Sequence, residues 1–308
     1  MKHLFGPVPS RRLGFSLGID VIPAKTCTLN CVYCQLGPTP ELTLERKPYV
    51  PAETIIAEVA ELLQKNPRVD FLTFSGSGEP TLNSDLGKMI RGLKKITSIP
   101  IAVITNGSLL YQKEVRQDLM EADVVLPSLD AVSGKIFQAV NRPHPDLNPK
   151  VIIEGLSKFS REYPGKIWLE IMLVKGVNDS KTELKKIREI IKSLRINKVQ
   201  LNTVVRPPAE EGFFPLTQSE LEAAAEIIGS GCEIIAEFAG GKTTGMFPGG
   251  EELILETLKR RPLTLKDIAV ITGLNLNEIS KILGLLKKNG AVKEEKTGKS
   301  EPYFMVLS

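Results

Sequence analysis

Short apolar runs alternate with amphipathic stretches along most of the chain. Leu17–Ile22 reads as a strand, and residues 53–64 carry Ile55, Ile56, Val59, Leu62 and Leu63 at helical spacing. Phe71–Phe74 predicts a buried strand, Leu86–Leu93 a helix, and Ile101–Ile104 a strand that ends in Thr105-Asn106-Gly107. Residues 112–121 follow as a helix, Val124–Leu126 as a strand, and residues 150–161 as a helix. Residues 166–174 read as extended, 180–194 as a charged helix, and Val199–Leu201 as a further strand. Thr217-Gln218-Ser219-Glu220 has the form of a capping box opening a helix through Ile228. These repeats predict an α/β fold with a parallel sheet and crossover helices. The six strand–helix units fall short of the eight of a complete barrel.

The texture changes at residues 239–250, a Gly-rich run without period that reads as a linker or loop. Beyond it, Leu253, Ile254 and Leu258 mark a helix that ends near Pro262, and Thr264–Gly273 reads as a short helix with a Gly stop. Asn275–Glu278 resembles a capping box before Ile279, Ile282, Leu283 and Leu286, and two extended runs, Ala291–Lys296 and Tyr303–Leu307, close the chain. That order is the winged-helix pattern. The expected division is residues 1–245 for the barrel and 246–308 for the winged helix.

Composition narrows the classes. The 308 residues are 42% hydrophobic and 25% charged, as in ordinary folded proteins rather than disordered ones. No apolar run is long enough to span a membrane. Gly6 and Pro7 interrupt the start before the apolar core of a signal peptide could form, so the expected location is the cytoplasm. The net charge of +4 is too small to argue for nucleic acid by itself. Residues 251–308 hold ten Lys and Arg against eight Asp and Glu, with Lys281, Lys287, Lys288, Lys293, Lys296 and Lys299 on the expected recognition helix and wing. Asn275 and Asn277 are the base-reading residue types there, and Arg is missing from that helix.

Three of the four cysteines, Cys27, Cys31 and Cys34, fall within eight residues. In a reducing compartment such clustering points to metal rather than disulfides. A structural zinc site needs four ligands, and only His3, His144 and Cys232 remain, none of them local. An iron–sulfur cluster is usually held by four thiolates, so three would leave one iron with an open position where chemistry takes place.

The Cys-x-x-x-Cys-x-x-Cys run, with Tyr33 before the third cysteine, resembles the signature of the radical S-adenosylmethionine (radical SAM) superfamily. The resemblance implies a partial (β/α)6 TIM-like barrel. It implies a 4Fe–4S cluster on Cys27, Cys31 and Cys34, with S-adenosylmethionine chelating the fourth iron and Tyr33 near its adenine. One electron would cleave the sulfonium and release a 5′-deoxyadenosyl radical that takes hydrogen from a substrate. Flavodoxin or ferredoxin would be the external electron donor. The segment Gly76-Ser77-Gly78-Glu79-Pro80 is similar to the family's Gly-Gly-Glu-Pro, which binds the methionine amino group, with Ser77 in place of the first glycine. Asn106, Ser128, Asp130, Val174 and Asn202 stand at strand ends where the family contacts the cofactor. Asn, Ser and Asp are also common turn and capping residues.

Other candidates carry less. Gly241-Lys242-Thr243 lacks the first glycine of a P-loop, and Gly76-Ser77-Gly78 lacks the third of a dinucleotide fingerprint. Arg11 and Arg12 are candidates for gripping a phosphate or carboxylate of the substrate, or for a surface salt bridge. Cys232 reads as a buried thiol or as a hydrogen-atom donor to a substrate radical. The run Gly6–Gly14 resembles the opening of a radical SAM subfamily grouped with wyosine-type tRNA base synthases. Three functions fit these residues. The first is a radical enzyme acting on tRNA or another nucleotide, with RNA or protein docked by the winged helix. The second is an activating enzyme for a glycyl-radical partner protein, and the third an iron–sulfur redox sensor that binds DNA.

Overall fold

The protein is described by a computed structural model covering residues 2–206, 208, 210–229, 231–236, 250–274, 276–296 and 301–307. The chain opens with an antiparallel pair, β1 (Leu4–Ser10) and β2 (Gly14–Ile19). A loop containing the short strands β3 (Thr26–Cys27) and β4 (Glu41–Leu42) leads to α1 (Ala52–Leu63). Strands and helices then alternate: β5 (Phe71–Phe74), α2 (Leu86–Ile96), β6 (Ile101–Thr105), α3 (Lys113–Leu119) and β7 (Val124–Pro127). Two helices, α4 (Gly134–Val140) and α5 (Pro149–Glu162), precede β8 (Lys166–Leu173). The series ends with α6 (Lys181–Lys192), β9 (Lys198–Thr203), α7 (Gln218–Ile228) and β10 (Cys232–Ile234).

The sheet order is β1-β2-β5-β6-β7-β8-β9-β10, and every pairing except β1–β2 is parallel. Six strand–helix units from β2 to α7, followed by β10, make the expected partial barrel. Each crossover helix buries one stripe on the sheet. In α2, Leu86, Met89, Ile90 and Leu93 are fully buried, and in α1, Ile55 and Val59 are. The capping box at α7 forms as the sequence predicts: Thr217 N donates to Glu220 Oε2 at 2.7 Å, and Glu220 N donates to Thr217 Oγ1 at 3.3 Å.

The two sheet faces differ in chemistry. Leu17, Ile19, Leu72, Phe74, Leu169, Ile171 and Leu201 belong to the main core under the helices. The alternate positions form the barrel interior, where a small cluster of Leu13, Ala102, Val124 and Leu126 is joined by polar residues. There Ser16 Oγ donates to Thr73 Oγ1 at 2.6 Å, and Arg12 reaches Glu170.

Two features add to the sequence reading. Residues 4–10, for which it gives no element, form a strand despite Gly6, Pro7 and Pro9. β1 lies at the sheet edge, where proline removes no needed donor, and its register shifts between Phe5 and Val8. β2 ends at Ile19 rather than Ile22, because the Asp20 side chain is taken by the loop after β5 and by the tail: Ser77 Oγ donates to Asp20 Oδ2 at 2.5 Å, and Arg260 Nε at 3.1 Å.

The tail comprises α8 (Gly250–Leu258), β11 (Leu263–Thr264), α9 (Leu265–Thr272), α10 (Leu276–Lys288), β12 (Val292–Glu295) and β13 (Tyr303–Val306), with sheet order β11-β13-β12. Its apolar cluster includes Phe5 and Val8, so β1 serves both parts. Residues 239–249, Asn275, Lys299 and the side chain of Asn277 lie outside the described residues. Among the described residues no helix is long and apolar enough to cross a membrane.

Candidate functional site

Parallel α/β sheets present ligands at the carboxyl ends of their strands, and the cysteine loop follows the carboxyl end of β2. Two neighbouring segments hold its backbone. On one side the loop after β5 runs against residues 25–26: Lys25 N donates to Ser77 O at 2.7 Å and Glu79 N to Thr26 O at 3.2 Å. A Cβ on Gly78 would lie 2.0 Å from Thr26 O, so only glycine permits this approach. On the other side residues 140–144, at the end of α4, pair with residues 28–32. His144 N donates to Thr28 O, and Asn30 N and Val32 N donate to the carbonyls of Asn141 and Val140.

This frame gives each of the three sulfurs a side-chain nitrogen donor, and Cys27 also takes the Leu29 amide. Lys25 Nζ lies 3.0 Å from Cys34 Sγ, Asn141 Nδ2 3.4 Å from Cys31 Sγ, and Asn106 Nδ2 3.5 Å from Cys27 Sγ. Burial pushes the Cys27 thiol up to about 12, with the nearby Glu79 charge adding to the shift. Burial, with Asp130 second, also raises Cys31. These thiols are therefore poor free nucleophiles and would lose their protons to a bound metal, which deprotonates a coordinating thiol outright. Among the described residues no three His, Cys, Asp or Glu side chains converge as they would around a single ion.

Behind the loop lies a buried polar knot. Tyr33 Oη donates to Asp130 Oδ2 at 2.5 Å, Asn141 Nδ2 donates to the same oxygen at 2.7 Å, and Met172 N donates to Asp130 Oδ1 at 2.9 Å. Burial raises the Asp130 carboxyl and holds the Tyr33 phenol well above its ordinary range. Asn141 Oδ1 is buried and accepts from none of the described residues. An orphaned acceptor beside the cysteines is what a site shaped for an absent donor leaves behind. Glu79, 2% exposed, ties the ends of β5 and β6 together. Its Oε1 accepts from Thr81 N (3.1 Å), Thr81 Oγ1 (2.6 Å) and Thr105 Oγ1 (2.6 Å), and its Oε2 from Asn106 N (2.7 Å).

Comparison with known proteins matches residues 21–187 to the radical SAM superfamily, a span that contains the whole cysteine loop and β5 to β8. The chain belongs to the radical SAM superfamily. It is 39% identical over 291 residues to a UPF0026 protein of Methanocaldococcus jannaschii, covering 94% of this chain and 87% of that one. It is 41% identical over 300 residues to a protein of Brachyspira hyodysenteriae named GTPase Obg, covering 96% of this chain but only 44% of that one. A more distant relative is the GTP 3′,8-cyclase of Lactiplantibacillus plantarum, 28% identical over 160 residues, half of this chain and 44% of that one. In fold the chain resembles a radical SAM methyltransferase from Sphaerobacter thermophilus (TM-score 0.54, 16% identity, 73% of this chain and 67% of that one). It also resembles a structure of TYW1 with a lysine–pyruvate adduct bound (TM-score 0.50, 20% identity, 73% and 75%).

Radical SAM enzymes carry a 4Fe–4S cluster and S-adenosylmethionine and draw electrons from an external donor. The residues here fit that pair: three thiols on one framed loop, an N–H donor on each sulfur, and a vacant buried acceptor alongside. The structure brings Tyr33, Asn106, Ser128 and Asp130 together with the cysteines, the last three lining one recess with Leu29, Phe137 and Asn141. Val174 is buried in an apolar cluster against which Cys27, Cys31 and Tyr33 pack. Gly76 adopts φ +134°, and Ser77 N donates to Asp20 Oδ1 at 3.1 Å, so this segment is anchored on its Asp20 side.

Among the described residues, the other four predicted residues make no hydrogen bond to the cysteine sulfurs. Cys232 opens β10 opposite Val199, at the amino end of the strand, so the sheet direction carries it away from the cysteine loop; burial pushes its thiol up to about 12. Asn202 is buried inside the barrel, where its Nδ2 donates to Glu170 Oε1 at 2.9 Å and its Oδ1 accepts from Arg11 Nη1 at 2.8 Å. Arg12 is neither free nor on the surface: its Nη1 donates to Glu170 Oε2 at 2.7 Å. Burial alone would raise the Glu170 carboxyl, but the Arg12 charge and the Asn202 and Arg12 bonds outweigh it and hold Glu170 below its ordinary value. Arg11 Nη1 also donates to the carbonyls of Ile235 (3.0 Å) and Ala236 (3.1 Å).

Lys25 and Asn141 are the site residues that sequence reading misses. Lys25 is two residues before Cys27 and reads as a surface lysine. Asn141 is more than a hundred residues from Cys31, and only the pairing of residues 28–32 with 140–144 joins them.

Proposed function

We propose that this radical SAM enzyme cleaves S-adenosylmethionine reductively and abstracts hydrogen from a substrate of the nucleotide class. The observation that carries the reading is the side-chain N–H donor on each of Cys27, Cys31 and Cys34. In this reading the three cysteines hold the cluster. When bound, it would supply the one-electron reduction that cleaves S-adenosylmethionine and so starts hydrogen abstraction from the substrate.

The chain's own residues do the rest. Lys25, Asn106 and Asn141 stabilise negative charge on the sulfurs, the usual protein control over cluster potential. Asp130 fixes the Tyr33 ring by accepting a hydrogen bond from its hydroxyl. Glu79 locks Asn106 in place. Its Oε1 is filled, and its Oε2 keeps acceptor capacity for an ammonium group. Leu29, Val32, Phe137 and Val174 exclude water from the loop.

The nucleotide class is favoured by the likeness to a GTP 3′,8-cyclase. The helix, strand, helix pair and hairpin after residue 250 support a division at 245/246 with a winged helix in the tail. We infer a small nucleotide over tRNA because part of the tail's lysine charge is neutralised locally. Lys287 pairs with Glu294 at 2.5 Å, Lys293 with Glu295 at 3.2 Å, and Lys266 with Glu301. Flavodoxin or ferredoxin is the proposed electron donor. Anaerobic incubation of the reduced enzyme with deuterated cell-extract fractions tests the reading. Deuterium in 5′-deoxyadenosine from a nucleotide-containing fraction is expected, and label arising only from fractions without nucleotides overturns the substrate class.

A further inference from the structure

We propose that Arg11, Arg206 and Arg261, where the barrel meets the tail, anchor a phosphomonoester group of the substrate; this rests on the reading above and specifies how a nucleotide is held. Five arginines converge on this junction, and two are answered in full. Arg12 pairs with Glu170, and Arg260 pairs with Asp20 and Glu256. The other three are not. Among the described residues, Arg206 uses one N–H, from Nη1 to Gln35 Oε1 at 2.9 Å, and Arg261 uses one, from Nη1 to Pro9 O at 3.4 Å. Arg261 Nε is buried and donates to none of the described residues. Arg11 makes all its bonds through Nη1, leaving the outer edge of the fork without a partner among the described residues.

The charges do not balance. Burial, then Arg206, pulls Arg11 down to about 10. Burial, then Arg206 again, pulls Arg261 down to about 9. The acid that faces Arg206 and Arg261 apart from the engaged Glu170 is Asp267, whose carboxylate also accepts Thr264 N at 3.1 Å to cap α9. Among the described residues, three guanidinium charges against one carboxylate leave an excess of two, the charge of a phosphomonoester near neutral pH. Guanidinium forks match phosphate geometry and tolerate desolvation better than ammonium groups. The Tyr303 hydroxyl, close enough to feel all three arginines, adds a neutral donor.

Position completes the argument. Arg206 follows β9 at its carboxyl end, and Gln35, which it holds, follows Cys34 directly. A substrate anchored here by its phosphate would extend toward the cysteine loop, where radical chemistry starts. Arg261 and Tyr303 come from the tail, so binding would need both parts of the chain.

The test is calorimetric titration of the full-length, cluster-loaded protein with inorganic phosphate and with guanosine 5′-monophosphate, without S-adenosylmethionine. One phosphate per chain is expected. Arg206→Gln and Arg261→Gln should each weaken binding about tenfold or more, the loss of one charge-assisted contact, with iron content and melting temperature showing that each variant folds. In the unaltered protein, phosphate should also protect Arg206 and Arg261 from phenylglyoxal, mapped by mass spectrometry. No saturable binding at tens of millimolar phosphate, or no protection of either arginine, overturns the proposal. So does tighter binding of an RNA oligomer that lacks terminal phosphates. A chain that binds phosphate but never cleaves S-adenosylmethionine would refute the proposed function and leave this anchor standing.

Discussion

Replacing Glu79 tests whether the carboxylate that ties β5 to β6 also sets the cysteine loop. Four donors converge on it, two from backbone amides and two from threonine hydroxyls. Glu79→Ala strands all four in a site that is 2% exposed. Hydrogen bonds to a charged group contribute about 1.5–3 kcal/mol each and buried unsatisfied donors cost about 1–3 kcal/mol each, but burial of the carboxylate opposes part of that gain. Because such terms are not additive, a loss of about 4 kcal/mol is the working figure. Glu79→Gln can keep an oxygen on the three donors that share Oε1 and turn its NH2 toward Asn106 N. That sacrifices one bond and sets two donors face to face, a loss of about 2 kcal/mol. At about 2–4 °C per kcal/mol, Ala should lower the melting temperature by about 8–16 °C and Gln by about half that. Anaerobic thermal and denaturant unfolding of the loaded protein measures both, and hydrogen exchange at the Asn106 amide reports the local effect. If Glu79→Ala unfolds within about 0.5 kcal/mol of the parent, or if Gln is the worse of the two, the tie described here is wrong.

Further outcomes follow from the same contacts. Asn141→Ala removes the donor on Cys31 Sγ and should lower the cluster's midpoint potential by about 20–60 mV, the one-electron equivalent of one ordinary hydrogen bond; an electron-resonance redox titration showing no shift with an intact cluster refutes the role of Asn141. Arg12→Met leaves Glu170 buried without its cation and should destabilise the fold by about 3 kcal/mol, while Arg12→Met combined with Glu170→Met recovers most of the loss in urea unfolding; equal losses in the single and double variants would mean that packing, not charge, dominates. Glu220 is held down at about 2 by Lys175 and by the Thr217 amide and hydroxyl. Its folded value lies below the ordinary 4.5, so its contribution is present above that pH and disappears as pH falls toward 2. Carboxyl NMR should find Glu220 titrating well below the other exposed glutamates, and Lys175→Ala should return it toward 4.5.

The repeating part of the fold was legible because each strand and helix carries its own period. Phe71–Phe74 reads directly as its four-residue strand, and Thr217 with Glu220 marks the start of α7. β1 was hidden by its prolines, since nothing local says that a strand lies on an edge. At the site, the cysteine spacing was legible because one loop carries all three thiols. The donors on those sulfurs were not, because residues 25, 106 and 141 meet only after three different elements have packed. Polar residues at strand ends were over-read as a class. Asn106 and Asp130 face the cysteine loop, whereas Asn202 turns into the barrel to meet Arg11 and Glu170. Arg11 and Arg12 stand side by side in sequence, yet Glu170 pairs with Arg12, while Arg11 meets Asn202 and the carbonyls of Ile235 and Ala236.

The central claim is that Cys27, Cys31 and Cys34 hold a cluster that cleaves S-adenosylmethionine. The most direct measurement is 5′-deoxyadenosine formed anaerobically by the reduced, reconstituted chain, beside Cys31→Ala prepared the same way. The account predicts product from the parent protein, and neither product nor cluster absorbance from the variant. Product from Cys31→Ala, or none from a parent protein with its iron and sulfide in place, would contradict it.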